Sequence, residues 1–225
     1  LARESSQAAA EFGRRRLKSH ISSEDLENLL INYTILETII EISDQFQFDR
    51  IELVAVTRNP EDYLCSTYNE LSKHGIVLDY SRIARSAKNS GYFSCSLENF
   101  NYSFAINAKP LIDALQRKFP KIIIHKFGFE EFIRVYPGHA FIAKVLSPAV
   151  AHQIGTFDLE ALDAFNSNEA MSERDVELQY AFNSLGIKTT DNLNANLHSL
   201  IQQIADYRLI SSRQGKALAK TLFGS

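Results

Sequence analysis

The sequence has too few cysteines for a disulfide framework. Cys65 and Cys95 are its two cysteines among 225 residues, whereas small secreted folds are held together by several disulfide pairs. This usage fits a reducing compartment, and we therefore expect a cytoplasmic protein. We expect Cys65 to be a small buried apolar residue rather than a reactive thiol.

Three further absences exclude classes of function. The net charge is −3 with a pI near 6.1, so no basic bias points to a nucleic-acid partner. No apolar run approaches the length of a membrane span, and no secretory signal is visible. The six histidines show no H-E-x-x-H or comparable spacing and no pairing with cysteine, so we expect no metal site.

The remaining composition is that of an ordinary globular chain, with 45% hydrophobic and 23% charged residues. This length can bury a sizeable core. Strand and helix patterns alternate in the first half, which predicts an α/β fold with a parallel sheet core and flanking helices. We expect a single domain with its sheet core at residues 17–135, an insertion at 75–101 and a helical cover at 138–225.

Hydrophobic periodicity predicts the individual elements. A short strand at 20–23 leads into an amphipathic helix that starts near Ser23 and ends near residue 43. The strand at 50–57 contains IELVAV, a nearly continuous apolar run that predicts burial on both faces of a parallel sheet. Within 75–101 we expect a helix fragment at 80–87 and then a loop, which is either an acceptor-side lid or an inert insertion. The other predicted segments are a helix at 105–119, a buried strand at 121–125 with none after it, and helices at 139–153, 159–165, 173–185 and 193–222.

The segment LVAVTRNPEDYLCSTY, residues 53–68, carries the clearest chemical pattern. Arg58 follows the strand, and its guanidinium offers a planar fork of donors that suits an anionic oxygen pair. Pro60 presets the first turn of a helix, and Ser66 lies eight positions after Arg58. The pattern favours a phosphate site at the carboxyl end of a strand, where ligands gather in parallel sheets. The alternative is an ordinary strand–turn–helix with a surface arginine.

The pattern R-N-P-x-x-x-x-x-S-x-Y after an apolar strand resembles the 3′-phosphate-binding motif of sulfotransferases. These enzymes use 3′-phosphoadenosine 5′-phosphosulfate (PAPS). The resemblance implies that Arg58 and Ser66 bind the 3′-phosphate of PAPS, and that 3′,5′-ADP is the product. It also implies a P-loop-like sulfotransferase fold and transfer of a sulfuryl group to a hydroxyl, for example on a carbohydrate or a small molecule. Supporting matches to bacterial sulfotransferases are HISSEDLENL, KIIIHKFGFEEF with Glu130 as its acidic residue, and NEAMS, in which Ser172 is expected to cap a helix with Asp175.

One element of the family is missing from the sequence. Sulfotransferases wrap the 5′-phosphosulfate in a loop resembling K-[ST]-G-T, whose backbone N–H groups and lysine hold the anion. The only early glycine is Gly13, in EFGRRRLK. Either the loop lies upstream of Leu1 or the protein has lost it.

Sulfuryl transfer to a hydroxyl requires a base for the acceptor's proton. The resemblance makes Glu24 the candidate catalytic base, with His20 as the other candidate at the first strand's end. Glu24 could equally be an acidic first-turn residue that favours the helix dipole. We expect His125 to be a structural histidine and Glu130 to cap a helix. The solvated face of the last helix is expected to carry Arg208, Arg213, Lys216 and Lys220.

Two other functions remain open from the sequence. A nucleotide-dependent kinase of P-loop architecture would need a Walker loop and a magnesium-binding acid, and neither is visible. A non-catalytic interaction domain could keep the same scaffold without binding a nucleotide. The run RRRLK at 14–18 is either a basic lip for a polyanion or a solvated helix end.

Overall fold

Helices dominate the part of the chain that the computed structural model describes, namely residues 28–76, 78–97, 100–133 and 171–224. The elements are α1 Thr34–Gln45, β1 Glu52–Thr57, α2 Pro60–Lys73, α3 Tyr80–Ser90, β2 Phe93–Leu97, β3 Phe100–Phe104, α4 Ala108–Lys118, β4 Ile123–Gly128, α5 Phe129–Ile133, α6 Glu173–Ser184 and α7 Ala195–Phe223. The predicted strand at 20–23 and the predicted helices at 139–153 and 159–165 lie outside the described residues.

The described strands form two separate two-stranded sheets. β1 and β4 pair in parallel, from Glu52 opposite Ile123 to Thr57 opposite Gly128. β2 and β3 form an antiparallel hairpin. The predicted mixture of helices with a parallel sheet is therefore confirmed. No helix within the described ranges combines the length and apolar character needed to cross a membrane.

Burial of β1 on both faces is wrong. Leu53 and Ile124 share one face of the β1–β4 pair and pack against α1 and α4. Val54 and Val56 lie on the other face and are 37% and 39% exposed. The continuous apolar run predicted burial of both faces, but only one face of β1 packs against a core among the described residues.

The loop expected after residue 87 is also wrong, because helix α3 continues to Ser90 and the hairpin follows it. Phe93 and Phe104 lie directly opposite each other, with ring centroids 5.2 Å apart. Between them and the hairpin's end, the hydroxyls of Ser94 and Ser103 are 2.7 Å apart. The outward-facing positions of this hairpin are polar, so the sequence resembled a loop, whereas its inward aromatic residues pack on the core.

Within the described residues, the helix predicted to run from near Ser23 to residue 43 is α-helical only from Thr34. A short 3₁₀ turn at residues 28–30 precedes α1. The side chain of Asn32 accepts a hydrogen bond from the Thr34 backbone N–H at 3.0 Å, a local turn that competes with helix continuation. Leu29 and Leu36 nevertheless reach the same core from either side of the break.

The two C-terminal helices that the structure describes, α6 and α7, agree with the prediction to within a few residues. α6 and α7 pack on each other and on α2, and α7 also packs on α3. Two clusters of buried residues result. The sheet-side core contains Leu29, Leu36, Leu115 and Ile122. The helical core contains residues of α2, α3, β2 and α7, among them Leu64, Tyr80, Ile83, Phe93 and Ala219.

Candidate anion-binding site

The predicted strand–turn–helix around Arg58 is present. β1 ends at Thr57 and α2 begins at Pro60. The side chain of Asn59 accepts a hydrogen bond from the Glu61 N–H at 2.8 Å and caps the helix. Its backbone carbonyl accepts from the Tyr63 N–H, and proline has no N–H. Most first-turn amides are therefore already used, so an anion here must be bound chiefly by side chains.

Arg58 lies exposed at the carboxyl end of the parallel strand pair. Its Cζ is 4.8 Å from the ring centroid of Phe129, which begins α5 directly after β4. Stacking on an aromatic face orients a guanidinium without using its N–H donors. Across the described ranges no carboxylate forms an ion pair with Arg58, so these donors remain open to a ligand.

Ser66 lies on the exposed side of α2. It lines an open cleft of about 250 Å³ together with Thr67, Glu70, Leu71 and Phe104. Arg58 is not among these lining residues, and no hydrogen bond links the two within the described part of the chain. The structure thus places both side chains on the solvent side of the β1–α2 unit with different neighbours.

The surroundings of Ser66 are acidic. Asp62 and Glu70 are one helical turn before and after it, on the same exposed face of α2. Hydrogen bonding from Lys73, whose Nζ is 3.2 Å from Glu70 Oε2, lowers the pKa of Glu70. Lys73 balances the charge of Glu70, and His74 Nε2 lies 3.3 Å from Glu70 Oε1. Asp62 has no such partner among the described residues and adds negative potential beside the serine.

Tyr68, the last residue of the motif, does not face this site. It is 2% exposed; its hydroxyl donates to Glu177 Oε1 at 3.0 Å and accepts from Arg208 Nη2 at 2.7 Å. Burial raises the pKa of the Tyr68 hydroxyl above its usual range, so it stays protonated. Tyr68 therefore anchors α2 to the C-terminal helices instead of contacting a ligand.

The expectation that Arg208 is solvated is wrong. Its Nε donates to Glu177 Oε2 at 2.8 Å, and its guanidinium lies 3.6 Å from the Tyr180 ring centroid. Glu177 is 2% exposed, and a buried carboxylate needs a charged partner. No local signal in the sequence identifies this pair, because its members are 31 positions apart. Arg213 and Lys216 also have a partner, since both donate to Glu173.

The other candidate residues have diverse positions. Glu24 and His20 lie outside the described residues. Glu130 is exposed in α5, next to the aromatic ring under Arg58. His125 pairs with Glu52, Nε2 to Oε2 at 2.6 Å, within the sheet. Ser172 caps α6, accepting from the Asp175 N–H at 3.2 Å, which confirms the predicted cap.

Neither cysteine forms a disulfide; both are half-buried. Within the described ranges no group of histidine, cysteine and carboxylate side chains is arranged to hold a metal ion. Comparisons with models of protein families, with curated proteins and with solved structures found no match to this chain.

Proposed function

We propose that this chain is a sulfotransferase domain of P-loop-like architecture that binds PAPS and transfers its sulfuryl group to a hydroxyl acceptor. The supporting observation is the Arg58 guanidinium, which is stacked on Phe129 at the carboxyl edge of two parallel strands. Its donors are unpaired within the described ranges. Parallel sheets bind ligands at this edge.

In this proposal each motif residue has a specific task. Arg58 binds the 3′-phosphate through two parallel N–H donors, and Ser66 donates its hydroxyl to the same group from α2. Phe129 holds the guanidinium flat and in place. PAPS supplies the sulfuryl group, and Glu24 is the proposed base that takes the acceptor's proton.

The test measures recognition of the 3′-phosphate by isothermal titration calorimetry. We expect the chain to bind 3′,5′-ADP more tightly than 5′-AMP, because only 3′,5′-ADP carries the 3′-phosphate that Arg58 is proposed to bind. Replacing Arg58→Ala should remove this preference, with a loss of about ten- to hundredfold for 3′,5′-ADP and little change for 5′-AMP.

Arg117→Ala is the matched control, since Arg117 is exposed in the last turn of α4 and carries the same charge away from the site. It should keep the preference for 3′,5′-ADP. Equal binding of the two nucleotides by the unaltered chain, or a preference that survives Arg58→Ala, would contradict the assignment of Arg58 to the 3′-phosphate.

A further inference from the structure

Helix α7 has two contrasting faces. Ile201, Ala205, Ser212, Gly215 and Ala219 are buried, and they form the face that packs on the helical bundle. The opposite face carries no covering element among the described residues. A helix of 29 residues thus exposes one complete side.

The exposed face has a regular composition. Six exposed residues recur at alternating intervals of three and four, and we call them the α7 stripe: Leu200, Gln203, Tyr207, Ile210, Gln214 and Ala217. This spacing is that of the a and d positions of a coiled coil. None of the six is charged, in a chain of which 23% is charged. Leu200, Tyr207 and Ile210 are 45%, 75% and 61% exposed.

We propose that the α7 stripe binds a second copy of this chain, with the two α7 helices antiparallel across a two-fold axis. The axis passes between positions 208 and 209. It places Tyr207 against Ile210 of the second copy, Gln203 against its Gln214, and Leu200 against its Ala217. Every layer then joins a large side chain to a smaller one or an amide to an amide, so the surface is self-complementary, as an isologous interface requires.

The charges beside the stripe select the antiparallel orientation. Asp206 and Arg213 each precede a stripe residue, Tyr207 and Gln214, on the same flank of α7. Antiparallel pairing brings this flank of α7 against the same flank of the second copy, so that Asp206 lies about 3 Å along the axis from Arg213 of the second copy, and symmetry repeats the contact. Parallel pairing would instead place Asp206 opposite Ser211 and form no such pair. Both charges already have intrachain partners, Arg174 at 3.3 Å and Glu173 at 3.0 Å, so the added contacts guide orientation more than affinity.

The size of the stripe sets the expected strength. From Leu200 to Ala217 it extends about 26 Å along the helix. A contact between two helices over this length is smaller than a standard interface, which buries about 800 Å² per partner. We therefore expect a reversible dimer with a dissociation constant no tighter than roughly micromolar.

Sedimentation velocity over a wide concentration series tests the association. The unaltered chain should shift from monomer to dimer as its concentration rises, and the double variant Tyr207→Glu with Ile210→Glu should stay monomeric. Ile35→Glu is the control, because Ile35 is 48% exposed in the first turn of α1, where a glutamate suits the helix dipole. A chain that is monomeric throughout, or a stripe variant that still dimerises, overturns the proposal.

Disulfide formation tests the orientation. Chains carrying Gln203→Cys should form an interchain disulfide with chains carrying Gln214→Cys in a glutathione redox buffer. Neither variant should do so alone, because identical positions lie far apart in the antiparallel pair. The unaltered chain, with Cys65 and Cys95, gives the background. A disulfide between two Gln203→Cys chains, or none in the mixture, contradicts antiparallel pairing.

Discussion

Ser66 lies between two carboxylates on one face of α2, and this placement determines how a phosphate would be bound there. Asp62 is exposed one turn before it, and Glu70 one turn after it has Lys73 and His74 as partners. A phosphate bound by Arg58 and Ser66 therefore meets an uncompensated repulsion mainly from Asp62. At the proposed site the carboxylate after Ser66 is therefore paired with a cation, whereas the carboxylate before it is not.

Removing that charge should strengthen nucleotide binding. We expect Asp62→Asn to tighten binding of 3′,5′-ADP about two- to fivefold at low ionic strength, and added salt should shrink the gain. Calorimetry at two salt concentrations measures both effects. Asp44→Asn removes an equivalent charge from α1, before β1 begins, and should leave affinity unchanged. Weaker binding by Asp62→Asn would show that Asp62 contacts the ligand favourably.

Gly215 is required where α7 crosses α3. A Cβ added at this position would lie 2.6 Å from the Tyr80 Cβ, closer than packed carbons approach. We expect Gly215→Ala to lower the free energy of unfolding by about 1–3 kcal/mol, because the overpacking outweighs the better helix propensity of alanine. Urea denaturation measures the change. Gly128→Ala is the control, since a Cβ there meets nothing within 4 Å; an unchanged Gly215→Ala midpoint would mean that α7 can move away from Tyr80.

At the level of elements, Glu173 links the start of α6 to α7. It accepts from Lys216 Nζ at 2.7 Å and from Arg213 Nε at 3.0 Å. These hydrogen bonds, that of Lys216 foremost, lower the pKa of Glu173 below its usual 4.5. A carboxylate with a lowered folded-state pKa contributes stability above its unfolded pKa and loses it as the pH falls through the folded value.

The contribution of Glu173 to stability should therefore be lost as the pH falls. Glu173→Gln should be less stable than the unaltered chain at pH 7, by under ~1 kcal/mol because the pair is partly exposed. The difference should begin to shrink as the pH falls below about 4.5 and should vanish below the lowered folded-state pKa of Glu173. Urea denaturation at several pH values measures it. Glu131→Gln is the control, because Glu131 is exposed and has no ion-pair partner among the described residues. A Glu173→Gln difference that persists in acid would contradict the mechanism.

The elements that the sequence predicted well are those with local signals. Three helices begin after a cap whose side chain accepts a hydrogen bond from a first-turn N–H, namely Asn59, Ser172 and Asn194. Such caps can be recognised in the sequence from a few neighbouring residues, such as Pro60 after Asn59. The hairpin was missed because Phe93 and Phe104 are separated by polar positions that face outward. The non-α-helical stretch at residues 28–33, just before α1, contains a single local turn at Asn32 that the apolar periodicity does not reveal.

The candidate site was predictable in part for the same reason. The Arg58–Pro60–Ser66 spacing lies within one strand–turn–helix, so its local geometry follows from the sequence. Stacking of Arg58 on Phe129 depends on the parallel pairing of β1 with β4, which unites segments about 70 residues apart. The Glu177–Arg208 pair, and the face that β1 buries, likewise depend on tertiary packing.

At the level of the whole molecule, the two cores divide the chain unevenly. The sheet-side core uses α1, β1, α4 and β4, whereas the helical core uses α2, α3, β2 and α7. Among the residues that the structure describes, no buried one belongs to both clusters. Arg58 follows a strand of the first core, and Ser66 belongs to a helix of the second, so the proposed phosphate site lies where the chain passes between them.

Local opening should follow this division. Leu115 is fully buried in the sheet-side core, and we expect Leu115→Ala to lower the free energy of unfolding by about 2–5 kcal/mol. Amide hydrogen exchange should speed up in α1, β1 and β4 and stay slow in α3 and α7. Leu64→Ala in the helical core should show the reverse pattern. Uniform acceleration in both variants would mean that the two cores open as one unit.

The order in which the helical core is synthesised has a consequence for the nascent chain. α2 and α3 are made early, but α7, which covers them, comes late: Tyr68 and its partner Arg208 are 140 residues apart. At about 5–20 residues per second, a ribosome needs roughly 7–28 s to make that interval. During it, the apolar faces of α2 and α3 have no partner from α7, and a chaperone that shields such surfaces would act in this period.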